Sequence, residues 1–210
     1  MAPRAYNNET RQQQQEELKA RIAAAAARLH AERGALATSY AEIAQAAGVS
    51  VPTVYKHFPD LDELVHACSS HATSLAPPFP ADEIAQAPDL RTAAALLVDA
   101  MDRLHAYFEQ WLVWREENRI PALAQRSAER RKHFVQLCEA VMARHGVAGP
   151  HRERAAVWES LLDFEPWHRL VRVHKLPRAT VRAQLLSLLL AVTGPQPAPP
   201  SSRPNRKSPP

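Results

Sequence analysis

At 210 residues, with 46% apolar and 23% charged side chains, the chain has the composition of a globular protein with room for one large or two small cores, which excludes a disordered or membrane-embedded class. Its formal net charge is +4, yet residues 1–70 carry seven Lys/Arg against eight Asp/Glu, residues 71–193 sixteen against fourteen, and residues 194–210 three against none. The basic excess lies mainly in the tail, so charge alone marks no nucleic-acid face.

Only five glycines occur, and no two form a G-x-G or the ends of a P-loop, which removes both nucleotide cradles. The long stretches between them are rich in Ala, Leu, Glu, Arg and Gln, the residues that lose least entropy in a helix, so the expected fold is all-α. Cys68 and Cys138 match neither a zinc knuckle nor a redox C-x-x-C. With no signal-peptide apolar region and no stretch long enough to span a bilayer, the expectation is a cytoplasmic protein without membrane, metal or cofactor.

In chain order, residues 1–9 are expected to form a disordered tail. Leu18, Ile22, Ala25 and Leu29 recur at steps of four, three and four, an amphipathic helix that Gly34 can end. Ser39-x-x-Glu42 is a capping-box pattern opening a short helix that stops near Gly48; Ser50 can cap another, with Pro52 in its first turn. Asp60-x-x-Glu63 repeats the logic ahead of Leu64, Val65 and Cys68. The SLAPPFP stretch, residues 74–80, is the expected boundary between an N-terminal domain over 10–74 and a C-terminal domain over 75–193. Beyond it, Leu90 to Trp111 spell a long helix ending before Pro121, and Phe134, Cys138, Val141 and His145 another that stops at Gly146. A helix from Pro150 carries Val157, Trp158, Leu161 and Leu162 until Pro166 interrupts it. The last, opened by Pro177 and Thr180, is apolar over more than one face, as for a helix buried on two sides. Residues 194–210, with seven prolines and no large apolar residue, are expected to be a disordered basic tail.

The most informative stretch lies between Ser39 and Phe58: a capped helix, the turn AGVS, then a second short helix PTVYKHF. A tight glycine turn lets the first helix brace the second at the steep angle of a helix-turn-helix, with Ile43, Ala44, Ala47, Val49 and Val54 packed inside. Thr53, Tyr55, Lys56 and His57 remain exposed and suit phosphate contact, while Ser50, Val51 and Pro52 lie where base edges are read. The helix N-termini at Thr38, Ser39 and Ser50 offer free N–H groups that also favour phosphate.

The run Gly34–Leu64 resembles the N-terminal domain of the tetracycline-repressor (TetR) family of transcriptional regulators, whose V-S-x-x-T-hydrophobic-Y-x-H-F stretch is matched by Val49, Ser50, Thr53, Val54, Tyr55, His57 and Phe58. The resemblance implies operator contacts from Thr53, Tyr55 and His57, phosphate anchoring at Thr38 and Ser39, and a variable C-terminal domain that dimerises and binds a small-molecule inducer. One position departs: where the family usually has a lysine at the start of the next helix, Leu61 follows Asp60 here, which would remove a phosphate contact. Candidate dimer-interface residues are Trp158, Trp167, Leu185 and Leu189, whose alternative role is monomer core. Candidate ligand-pocket residues are Met101, His105, Tyr107, Trp111 and Trp114, whose aromatic stripe also fits plain core.

The combined expectation is a homodimeric, ligand-responsive repressor bound to double-stranded operator DNA and released from it by a small molecule. The alternative is a helical interaction protein of the same fold that has lost sequence-specific DNA binding. An enzyme is not expected, since no nucleophile or zinc signature occurs and His66 and Cys68 diverge on their helix by about 200°.

Overall fold

The structure, a computed structural model, describes residues 4–194, with side chains from Thr10 onward, and among these it is all-helical with no strand. Helix α1 (Arg4–Arg33) is followed by α2 (Tyr40–Ala47), α3 (Val51–His57) and α4 (Leu61–Ser74). These four form a head around Ile22, Ala26, Leu29, Ile43, Val54, Phe58 and Leu64, all buried. Helix α1 begins at Arg4, so residues 4–9 are helical where a disordered tail was expected. No glycine or proline interrupts Arg4–Arg33, and its Gln- and Glu-rich start keeps enough helix propensity to extend the helix beyond its buried face. Residues 1–3 and nearly all of the proline-rich tail lie outside the described residues.

The body comprises α5 (Ala81–Ala85), α6 (Leu90–Leu112), α7 (Pro121–Arg144), α8 (His151–Leu161), α9 (Phe164–His168) and α10 (Arg178–Thr193), with a 3₁₀ turn over Glu116–Asn118 and a π-helical turn over Arg169–Val173. Asp89 caps α6 by accepting from the Thr92 N–H, and Pro121 opens α7 at a position where its missing N–H costs nothing. The break after α8 falls at Leu162–Asp163 rather than at Pro166, because the Asp163 side chain caps α9 and Pro166 sits in that helix's first turn. The short α5 went unforeseen; it packs Ile84 into the body core.

Trp158, Trp167, Leu185 and Leu189 are core, which corrects their assignment to a dimer interface. They are 0%, 1%, 5% and 0% exposed in the single chain, and the Trp158 Nε1–H donates to the Leu189 carbonyl within it. The Trp167 Nε1–H donates to Asp102, a fully buried carboxylate on α6 that also accepts from Arg178 and Arg182 of α10. Burial alone would raise the Asp102 carboxyl, but the Arg178, Trp167 and Arg182 contacts outweigh it and hold it below the usual carboxylate range. A second tie follows one helical face along, where Glu109 of α6 takes a two-pronged ion pair from Arg172. What α8 and α10 leave exposed is a different set, led by Val157 and Leu188.

Head and body meet at a seam with an apolar cluster of its own: Ala35, Val65 and Ile120, flanked by Leu61, Ala122 and Leu123. Leu61, half-buried, therefore serves the seam at the position where a lysine was anticipated.

Candidate nucleic-acid interface

The local sequence builds α2 and α3 as a braced pair. Ser39 caps α2 in a full capping box: its hydroxyl accepts from the Glu42 N–H, and the Glu42 carboxylate takes back the Ser39 N–H at 2.8 Å. Glu42 is further held by an ion pair with Arg33 at the end of α1; the Ser39 backbone hydrogen bond lowers its carboxyl pKa first, with the Ser39 hydroxyl and Arg33 adding to it. Gly48 ends α2 in the left-handed conformation, φ +64, and the chain reverses so that the Val49 N–H reaches the Ala44 carbonyl. Ser50 then caps α3 by accepting from the Thr53 N–H.

Val54 and Phe58 anchor the inner side of α3 in the head core, which turns Pro52, Tyr55 and Lys56 outward, with Thr53 and His57 half-exposed beside them. The Tyr55 ring, 53% exposed, stacks on Tyr40 of α2 with ring centroids 4.5 Å apart. The Tyr40 hydroxyl is buried without a partner, and burial, reinforced by Asp60, Tyr55 and Glu63, pushes its phenol up to about 12. Two aromatic rings thus stiffen the outer surface where the helices cross.

Two site residues arrive in a different role from that anticipated. The Thr38 hydroxyl donates to the Gly34 carbonyl at 2.7 Å, and the Ser39 hydroxyl donates to Glu42 at 2.8 Å. Their hydrogens are spent inside the head, and the Ser39 hydroxyl also takes the Glu42 N–H, so what remains at this end of α2 is the Tyr40 and Ala41 N–H groups, which have no helical partner. Ser50 and Thr53 share one hydroxyl hydrogen bond at 2.8 Å, which leaves one of the two hydrogens free to point outward. Beside the pair, α4 opens with Asp60, Asp62 and Glu63, a negative rim that the sequence showed but whose proximity to Tyr40 it did not.

The five ligand-pocket candidates do not converge. His105 is buried and paired with the Leu162 carbonyl, its imidazole pKa lowered by burial, and Met101 packs on the body core. Tyr107 and Trp111 instead line a cleft of about 410 Å³ between α1, α4 and α6, together with Ala27, Arg28, His71 and Leu75. Across it, the Tyr107 hydroxyl donates to the Ala72 carbonyl and the Trp111 Nε1–H to the Ala27 carbonyl. Trp114, outside the cleft, donates to the Ala31 carbonyl of the same α1 face.

A capped helix, a left-handed glycine turn and an outward second helix form a helix-turn-helix on an all-helical body. Residues 22–68 match the family described as bacterial regulatory proteins, tetR family. The matched stretch spans the end of α1, all of α2 and α3, and most of α4. No curated protein matches the sequence. Among solved structures, the chain is similar to NalD, the secondary repressor of the MexAB-OprM multidrug efflux pump in Pseudomonas aeruginosa, at 22% identity and a TM-score of 0.64, over 84% of this chain and 96% of that one. It is also similar to a transcriptional regulator from Rhodococcus sp. Rha1, at 21% identity and a TM-score of 0.64 over 83% and 95% of the two chains. The multidrug binding protein EbrR, complexed with imidazole, aligns at 19% identity and a TM-score of 0.61 over 96% and 100%. These likenesses carry the fold. Among the described residues no helix is long and apolar enough to cross a membrane.

Proposed function

We propose that the protein is a cytoplasmic, homodimeric repressor that grips operator DNA with two copies of α3 and is released by a small molecule. The observation that carries this is the outward set Thr53, Tyr55, Lys56 and His57 on a helix whose other side is locked by Val54 and Phe58. Lys56 and His57 supply phosphate contact, Tyr55 a rigid ring with a hydroxyl, and Ser50, Val51 and Pro52 the end that meets base edges. Thr38 and Ser39 contribute by shaping and capping the start of α2, whose Tyr40 and Ala41 N–H groups are left for phosphate, and not through their own hydroxyls. Residues 10–74 act as the DNA-binding unit and 75–193 as the unit that dimerises and senses.

A second copy would seat on the exposed strip of α8 and α10 around Val157 and Leu188, 43% and 48% exposed. The ligand site we place in the cleft lined by Tyr107 and Trp111, whose size suits a drug-sized molecule. The donors of Tyr107 and Trp111 are already engaged and Arg28 is paired with Glu32, so the cleft favours a largely neutral, aromatic ligand. Because it is walled by both head and body, a ligand that fits it better in a DNA-incompetent arrangement shifts the population by its differential affinity.

The test is selection of a bound duplex from a random library, followed by fluorescence anisotropy. Nanomolar, salt-sensitive binding to a near-palindrome is expected, with Tyr55→Phe and His57→Ala each roughly tenfold weaker and unchanged in melting temperature. Tyr55→Phe keeps the stack on Tyr40 and deletes only the hydroxyl. A chain that enriches no duplex even at low salt would instead be the interaction protein of the same fold, a reading that the acidic start of α4 favours.

A further inference from the structure

The connection between α6 and α7 reaches back 80 and 81 residues to touch the head. The Glu116 carboxylate accepts the Ala35 N–H at 2.7 Å through one oxygen and the Leu36 N–H at 2.9 Å through the other. Both amides belong to the turn between α1 and α2, outside the hydrogen-bond ladder of either helix. Gly34 makes room: a Cβ there would lie 2.7 Å from the Glu116 carboxylate, besides being strained at φ +85. Arg115, immediately before Glu116, takes a left-handed φ of 52, a conformation that side-chain-bearing residues adopt only when surrounding contacts hold them in it.

The next residues continue the grip. Ile120, 1% exposed, closes the seam cluster against Ala35 and Val65, with Leu61 and Leu123 at its edges. Asp62 of α4 accepts the Ala122 N–H at 3.3 Å, and Arg126 reaches Ser70 and Thr73 of α4. On the far side, Trp111 and Trp114 each hold an α1 carbonyl. The segment 116–123 therefore holds α4 and the α1–α2 turn at once, through polar and apolar contacts at separate points.

We infer that residues 116–123 form a clasp that sets the angle at which the body presents α3, with Glu116 as its positioning residue. The inference rests on the DNA-binding reading above. The Glu116-bound turn runs within three residues to Ser39, which caps α2, and α2 braces α3; fixing the turn at two amides fixes the start of that chain of contacts. In a dimer, a small change of this angle is doubled in the separation of the two reading helices. The clasp thus bears on half-site spacing and not only on overall affinity.

The experiment uses the 210-residue chain and the duplex it selects, with the half-sites moved apart or together one base pair at a time. Wild-type protein is expected to favour one spacing sharply. Glu116→Ala should bind that spacing roughly tenfold more weakly and discriminate less among spacings, since the charged acceptor that ties two amides of the α1–α2 turn is lost. Amide exchange at Ala35 and Leu36 should accelerate in the same variant. Glu117→Ala, which removes only the acceptor of the Ser127 hydroxyl, should change neither. Glu116→Gln, isosteric with one acceptor oxygen, should show a smaller change of the same sign, and it carries the test if Glu116→Ala fails to fold. A wild-type spacing preference in a folded Glu116 variant overturns the positioning role, even where affinity falls. If the wild-type chain selects no duplex, the DNA-binding reading fails by itself, and unchanged exchange at Ala35 and Leu36 in Glu116→Ala would overturn the clasp separately.

Discussion

Removing the Asp102 carboxylate would strand an indole N–H and two guanidinium groups that now converge on it. Breaking a buried pair this way is costly because the surviving partners lose their acceptor without regaining full hydration. Arg178 and Arg182 keep 43% and 41% side-chain exposure and can partly rehydrate, so Asp102→Ala should destabilise by about 3 kcal/mol, the low end of the range for such deletions. Asp102→Asn keeps the shape and an acceptor for Trp167, and should cost clearly less. Urea denaturation of both variants decides the matter, and equal losses would show that packing, not charge, holds this point. None of this was legible in the sequence, where Asp102 is one acid on an amphipathic helix and its partners lie 65 to 80 residues away. The outward residues of α3 were legible because their spacing is local, whereas the fate of the Thr38 and Ser39 hydroxyls depended on neighbours only a fold could supply.

At the scale of elements, caps and turns written in adjacent residues came through: the Ser39–Glu42 box, the Ser50 and Asp60 caps and the left-handed glycines all form as their spacing predicts. Helix faces were readable too, but not what they face. The broad apolar surface of α10 pointed to burial on two sides, yet within the chain only the Val181, Leu185, Leu189 and Thr193 face is buried and Leu188 is exposed; periodicity cannot tell the interior of one chain from a contact between two, and Trp158 and Leu189 proved to bond each other. The glycines offer a test at this level. Gly48 has φ +64 and open space around the position of a Cβ, so Gly48→Ala should cost only the left-handed penalty of about 1 kcal/mol. Gly34 has a similar φ, but its added Cβ would also strike the held carboxylate of Glu116. Gly34→Ala should therefore lose more stability than Gly48→Ala in parallel urea titrations; equal losses would mean that the carboxylate swings aside freely.

For the whole molecule, the seam was the least visible feature, because its members come from the end of α1, the start of α4 and the α6–α7 connection, and no periodicity links them. Its proximity to His30 makes stability sensitive to acid. His30 is buried near the end of α1, its Nδ1 3.4 Å from the Cys68 sulfur and its Nε2 without a partner. Burial pushes its pKa down to about 4 from 6.5, against the opposing pull of Glu116. Between those values the unfolded chain binds a proton that the folded chain refuses, so this contribution to stability is complete above pH 6.5 and is lost as pH falls toward 4. The full span amounts to about 3 kcal/mol at 1.36 kcal/mol per unit. His105, lowered by its own burial, acts with the same sign. Thermal melts from neutral to mildly acidic pH should show a falling midpoint, and His30→Leu should flatten that fall whatever its stability at neutral pH. An unchanged slope in His30→Leu would move the acid sensitivity to the body, where His105 sits, and a slope lost in His30→Leu would place it at the end of α1, one residue from the carbonyl that receives Trp114.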